Sequence, residues 1–60
     1  MTGAEFARRR AALGLTQRAL ADKLGVHRVT LARWEGGTHP VLEAAARLLT
    51  YIERDKETQR

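Results

Sequence analysis

The chain has 60 residues, 43% of them hydrophobic and 30% charged, with a formal net charge of +4 and no cysteine. A chain of this length makes one domain that buries about 60% of the surface its unfolded form exposes. With no thiols there is neither a disulfide framework nor a thiolate zinc site to supplement that small core, and His27 and His39 alone do not complete a metal site.

The opening MTGAEFARRR holds no apolar run suited to a signal peptide, and no stretch approaches the ~20 apolar residues of a membrane span. A soluble, cytoplasmic protein without membrane contact is expected. Charge is unevenly placed: residues 1–39 hold seven basic and three acidic side chains, residues 40–60 four of each. The excess positive charge therefore lies in the first two thirds, which suits a polyanionic partner.

The first helix is predicted over Thr2 to Leu13. Thr2 is its N-cap, Glu5 stands three residues on as in a capping box, and Gly14 follows its end. Its inward stripe joins Phe6, Arg10 and Leu13, where an arginine among apolar positions calls for a partner. A second helix begins after Thr16 as N-cap, carries Leu20, Ala21 and Leu24 on one face, and stops at Gly25, which can take the left-handed conformation of a tight turn.

A third helix is predicted from about His27 or Arg28 to a point before Gly36-Gly37. Leu31 and Trp34 turn inward with Val26, which assigns Trp34 to the core, while Arg28, Val29, Ala32 and Arg33 face out. Pro40 is expected at the first position of a fourth helix. That helix carries Val41, Leu42, Ala45, Leu48, Leu49 and Ile52 at i, i+1, i+4, i+7, i+8 and i+11. The charged end ERDKETQR has no such period, so the domain is expected over 1–54 with a frayed tail at 55–60. No strand pattern or repeat interrupts this all-α reading. Nor is there a cysteine nucleophile, a paired histidine and carboxylate motif or a glycine-rich phosphate loop, so no enzyme and no cofactor are expected.

Two short helices hinged at a glycine, over Gln17–Gly36, are the means by which a small protein offers one helix to the DNA major groove. The stretch LGLTQRALADKLGVHRVTLARWEGGTHP closely resembles the Cro/C1-type, or Xre-like, helix-turn-helix transcriptional regulators. The resemblance covers Arg10 through Pro40. It rests on Gly14-Leu15-Thr16-Gln17, Leu20-Ala21, Leu24-Gly25-Val26, Thr30-Leu31, Trp34-Glu35, Gly37 and Pro40, all in register.

The resemblance implies a compact four-helix, lambda repressor-like domain and a sequence-specific repressor that binds an inverted-repeat operator in double-stranded DNA as a homodimer. It implies a salt bridge between Arg10 and Glu35. It places His27, Arg28, Val29 and Arg33 at the bases, with Arg28 suited to the O6 and N7 of guanine, Val29 to a thymine methyl, and Arg33 to either a base or the flanking phosphate. Thr16, Gln17, Arg18, Thr38 and His39 fall to the phosphates.

The chain departs from the family pattern at His27, where a serine or threonine usually caps the recognition helix. It departs again at Arg18, where relatives often carry acidic residues. The apolar residues of the fourth helix exceed one small core, so Leu42, Leu48, Leu49, Tyr51 and Ile52 are assigned to a dimer surface. Brevity and the fourth-helix pattern look like those of autoregulators in phage or mobile-element operons, among them antitoxins and anti-CRISPR-associated repressors. The alternative role is an antitoxin that chiefly binds and neutralises a protein partner.

Overall fold

The computed structural model describes residues 1–58, which form four helices: α1 (Gly3–Ala12), α2 (Gln17–Leu24), α3 (Arg28–Glu35) and α4 (Glu43–Thr58). Local signals set the first three. Thr2 Oγ1 accepts from Glu5 N at 3.1 Å to open α1, and Thr16 Oγ1 accepts from Ala19 N at 3.0 Å to open α2. Each hydroxyl satisfies a backbone donor that the helix leaves unpaired. Gly25 closes α2 at φ +74°, and the next amide, Val26 N, donates back to Ala21 O at 3.0 Å. No Cβ would clash at Gly25, so the demand for glycine there comes from the left-handed backbone and not from crowding.

The core is built from Phe6 of α1, Leu20 and Ala21 of α2, Leu31 and Trp34 of α3, and Ala45 and Leu49 of α4, all buried. Leu13, Leu15, Leu24, Val26, Val41 and Ile52 pack against its edge. Phe6 and Trp34 meet edge to face, centroids 6.0 Å apart at 78°, a geometry in which the positive ring edge meets the negative face. Truncating Leu31 or Leu49 to alanine would cost about 2–5 kcal/mol, a large share of what a domain of this size can have.

Helix α4 differs from expectation at both ends. It begins at Glu43, not at Pro40, and Leu42 O accepts the first helical bond from Ala46 N at 3.0 Å. Residues 40–42 stay outside the helix, and half-buried Val41 reaches the edge of the core from there. At the other end α4 continues through Asp55 and Lys56 to Thr58, into the segment expected to fray from 55. Lys56 Nζ donates to Leu13 O at 3.0 Å, which ties this last part of α4 to the end of α1. The rest of the expected tail, residues 59 and 60, lies outside the described residues.

The inward face of α4 is narrower than the predicted stripe. Leu49 is fully buried and Ile52 half-buried against the core, so Leu49 belongs to the protomer's interior and is not available to a dimer surface. Leu42, Leu48 and Tyr51 remain outside, 57%, 44% and 64% exposed. A single helix on a three-helix base buries one line of residues, Ala45, Leu49 and Ile52, and Leu48 and Tyr51 fall to its sides, while Leu42 precedes the first helical residue and stays exposed.

An ion pair clamps α4 to α1. Arg9 Nε donates to Glu53 Oε2 at 2.9 Å, a second Arg9 nitrogen donates to the other Glu53 oxygen, and Arg9 also reaches Thr50 Oγ1 at 3.3 Å. The hydrogen bond from Arg9 holds the Glu53 carboxyl below its ordinary value, against an opposing push from partial burial, and the same bond raises the Arg9 guanidinium. At the start of α1, Gly3 lies so close to the end of α3 that a Cβ there would stand 2.1 Å from the Trp34 carbonyl oxygen.

Gly3→Ala destabilises the fold by about 1–3 kcal/mol, because the clash is with rigid backbone; urea unfolding checks this, and an unchanged midpoint contradicts it. A carboxyl depressed in the folded state stabilises fully above the ordinary glutamate range and loses that contribution as pH falls through its folded value. Thermal stability should therefore drop on acidification in that window, and Glu53→Gln should flatten that part of the profile.

Candidate nucleic-acid interface

Three helices converge on one carboxylate. Arg10 of α1 donates from Nε to Glu35 Oε2 at 2.7 Å and from a terminal nitrogen to Glu35 Oε1 at 3.1 Å, a fork matched to both oxygens. Its other terminal nitrogen donates to Leu15 O at 2.8 Å, just ahead of α2. Gln17 Nε2, at the first position of α2, donates to Glu35 Oε1 at 2.9 Å. The Glu35 side chain is only 6% exposed and that of Arg10 19%. This network fixes α3, at its last residue, against the start of α2 and the last turn of α1.

The opposite side of α3 is left to solvent. Arg28 and Arg33 are exposed, Val29 is 42% exposed, and Ala32 is half-buried between them. Gln17, Arg28, Val29, Ala32, Arg33 and Thr38 line a cleft of about 380 Å³ along that side. Around the N-terminus of α3 a second cleft of about 410 Å³ is lined by Arg18, Asp22, Val26, His27 and Arg28. Arg28 stands at the junction of the two.

Among the described residues the side chains of Arg18, Arg28 and Arg33 have no ion-pair or hydrogen-bond partner, whereas Arg9, Arg10 and Arg47 each pair with a carboxylate. Three uncommitted guanidinium groups thus gather around two adjoining clefts. Such a surface attracts an anion, and its planar forks can read either a phosphate or a guanine edge.

His27 caps α3: its Nδ1 accepts from Val29 N at 3.0 Å. The imidazole nitrogen therefore supplies the acceptor that a serine or threonine oxygen would supply as a cap. The loop Gly36–His39 closes the other end of α3, where Thr38 N and His39 N both donate to Arg33 O, at 3.0 and 3.3 Å. Gly37 takes φ +81° within it.

The expected site residues fall into groups. Gln17, Arg28, Val29, Arg33 and Thr38 share the first cleft, and Arg18, His27 and Arg28 share the second. The Thr16 hydroxyl serves as the α2 cap, and His39 is exposed in the loop but lines neither cleft. Sequence reasoning missed Asp22, although its position four residues after Arg18 puts both on one helical face. It also missed the bond from Gln17 to Glu35, which no local spacing signals. A separate groove of about 350 Å³ is lined by Lys23, Leu48, Tyr51, Ile52 and Asp55. Among the described residues no cluster of His, Asp or Glu is suited to a metal ion, and no helix is long and apolar enough to cross a membrane.

A family model described as a helix-turn-helix domain matches residues 2–60. No curated protein and no solved structure matches the chain.

The cap at His27 has a measurable weight. His27→Ala should lower stability by about 0.5–2 kcal/mol, and His27→Ser, which restores an acceptor, should recover most of it. Urea unfolding of the two variants checks this; equal stability of the alanine and serine forms contradicts it.

Proposed function

The chain belongs to the helix-turn-helix domain family, and from that premise we propose that it is a sequence-specific DNA-binding transcriptional regulator, a repressor that occupies an operator in its own promoter. The observation that carries this reading is the set of partnerless cations, Arg18, Arg28 and Arg33, around the exposed side of a helix whose other side is locked into the core.

In this reading α3 enters the major groove. Arg28, at its first turn, presents two parallel donors to guanine, Val29 packs on a thymine methyl, and His27 and Arg33 reach base edges on either side. Gln17, Arg18, Thr16, Thr38 and His39 meet the sugar-phosphate strands and set register. A helix of eight residues spans few base pairs, so useful specificity calls for two copies on half-sites about 34 Å apart. The exposed Leu42, Leu48 and Tyr51, with Ile52 at their edge, are the surface through which a homodimer forms. Tyr51 can bury its ring there while its hydroxyl stays wet.

Footprinting the region upstream of the gene tests this reading directly. Two protected half-sites of inverted sequence are expected. Arg28→Ala should lose about 1–3 kcal/mol of discrimination at one base pair per half-site, while Gln17→Ala, which removes an uncharged contact, should weaken all sequences alike and leave the log-log salt slope unchanged. Equal binding of specific and random DNA by wild type and both variants contradicts it.

A further inference from the structure

We propose that Glu35 is a positioning residue for DNA binding: held by Arg10, its carboxylate orients the Gln17 amide so that one N–H is committed to the protein and the other is presented to a backbone phosphate. The proposal rests on the reading of Gln17 as a phosphate contact.

An ionised carboxylate only accepts hydrogen bonds, so the face that Gln17 turns to Glu35 must be its NH2 and not its carbonyl. The 2.9 Å bond to Glu35 Oε1 is made beside a nearly dry carboxylate, where water competes poorly for the same acceptor. Its second N–H remains for a ligand, and Gln17 forms part of the wall of the cleft that Arg28, Val29, Arg33 and Thr38 complete.

Released from Glu35, the amide would be free to turn its carbonyl oxygen toward a phosphate and be repelled. Arg10 fixes the arrangement from both directions. It forks onto Glu35, and its third bond, to Leu15 O, pins the backbone two residues before Gln17. The gain is pre-organisation of a donor, not a new contact. Charge alone argues the reverse, since removing an acid near DNA should strengthen binding.

The test uses the full chain and a short duplex of mixed sequence, because phosphate contacts do not depend on base identity. Arg10→Met combined with Glu35→Leu removes the ion pair, leaves net charge unchanged and replaces it with apolar groups of similar reach. Binding is followed by fluorescence anisotropy across salt, with folding of each variant verified by circular dichroism.

In the wild-type background Gln17→Ala should weaken binding about tenfold with the salt slope unchanged, because an uncharged amide displaces no counterion. In the double variant binding should already be weaker by about that factor, and Gln17→Ala should add little. A folded double variant that keeps the wild-type affinity, or an equal loss from Gln17→Ala in both backgrounds, overturns the proposal. No effect of Gln17→Ala on the wild-type affinity overturns the phosphate role itself and this proposal with it. Nuclear magnetic resonance of the wild-type protein needs no altered fold: the Gln17 side-chain amide should show one proton protected from exchange, and two freely exchanging protons would overturn the proposal.

Discussion

Everything presented on the outer side of α3 depends on how its last residue is held. Glu35 accepts from Arg10 twice and from Gln17 once, so one carboxylate joins α1, α2 and α3. Taking a carboxylate out of water costs several kcal/mol, which only a forked guanidinium and a further donor can offset. The pair therefore adds little net stability over an apolar substitute. What it adds is a defined angle: an aliphatic contact tolerates sliding, whereas two charge-assisted bonds of 2.7 and 3.1 Å do not.

That constraint matters because the core is small. Among the described residues seven buried ones hold four helices, and α3 contributes Leu31 and Trp34 to them. A helix of two turns that leaves Arg28, Val29 and Arg33 in solvent cannot be held by burial alone. It is fixed at its start by the His27 cap, in the middle by buried Leu31, and at its end by Phe6 against Trp34, by Glu35 and by the amides of Thr38 and His39. Helix α4 then closes the base through Ala45 and Leu49, with the Arg9–Glu53 clamp and the Lys56 bond to Leu13 O fastening its far end. The molecule thus has one side made rigid by the network and core and another side of uncommitted cations.

Most of this was legible in the sequence where the signal is local. Thr2, Thr16, Gly14 and Gly25 mark helix ends because capping chemistry acts within four residues, and the arginine in the α1 stripe announces a partner because an unpaired charge at that depth is costly. Helix α4 was less legible. Proline at 40 is compatible with a helix start, yet the helix begins at Glu43 because the inward packing of Val41, a tertiary contact, governs there. Leu49 was placed on a dimer surface since periodicity reports an apolar stripe without saying how wide a strip its neighbours cover. The charged end looked unable to hold a helix, but Glu53 and Lys56 find partners on α1 and just beyond its end, at a sequence separation no periodic pattern carries. At the site, the helical pattern put Arg28 and Arg33 on the outer side of α3 and the family resemblance placed Arg18 near the phosphates, whereas the second task of Gln17 could not be anticipated.

The central claim is that the half-buried Arg10–Glu35 pair holds α3 in place, and its most direct test is urea unfolding of Glu35→Leu beside the Arg10→Met, Glu35→Leu double variant. The single variant, which leaves the Arg10 charge unpaired, should lose about 3–5 kcal/mol, and the double variant should recover most of that loss. A loss below about 1 kcal/mol in the single variant, the size of an ordinary surface ion pair, would contradict the account.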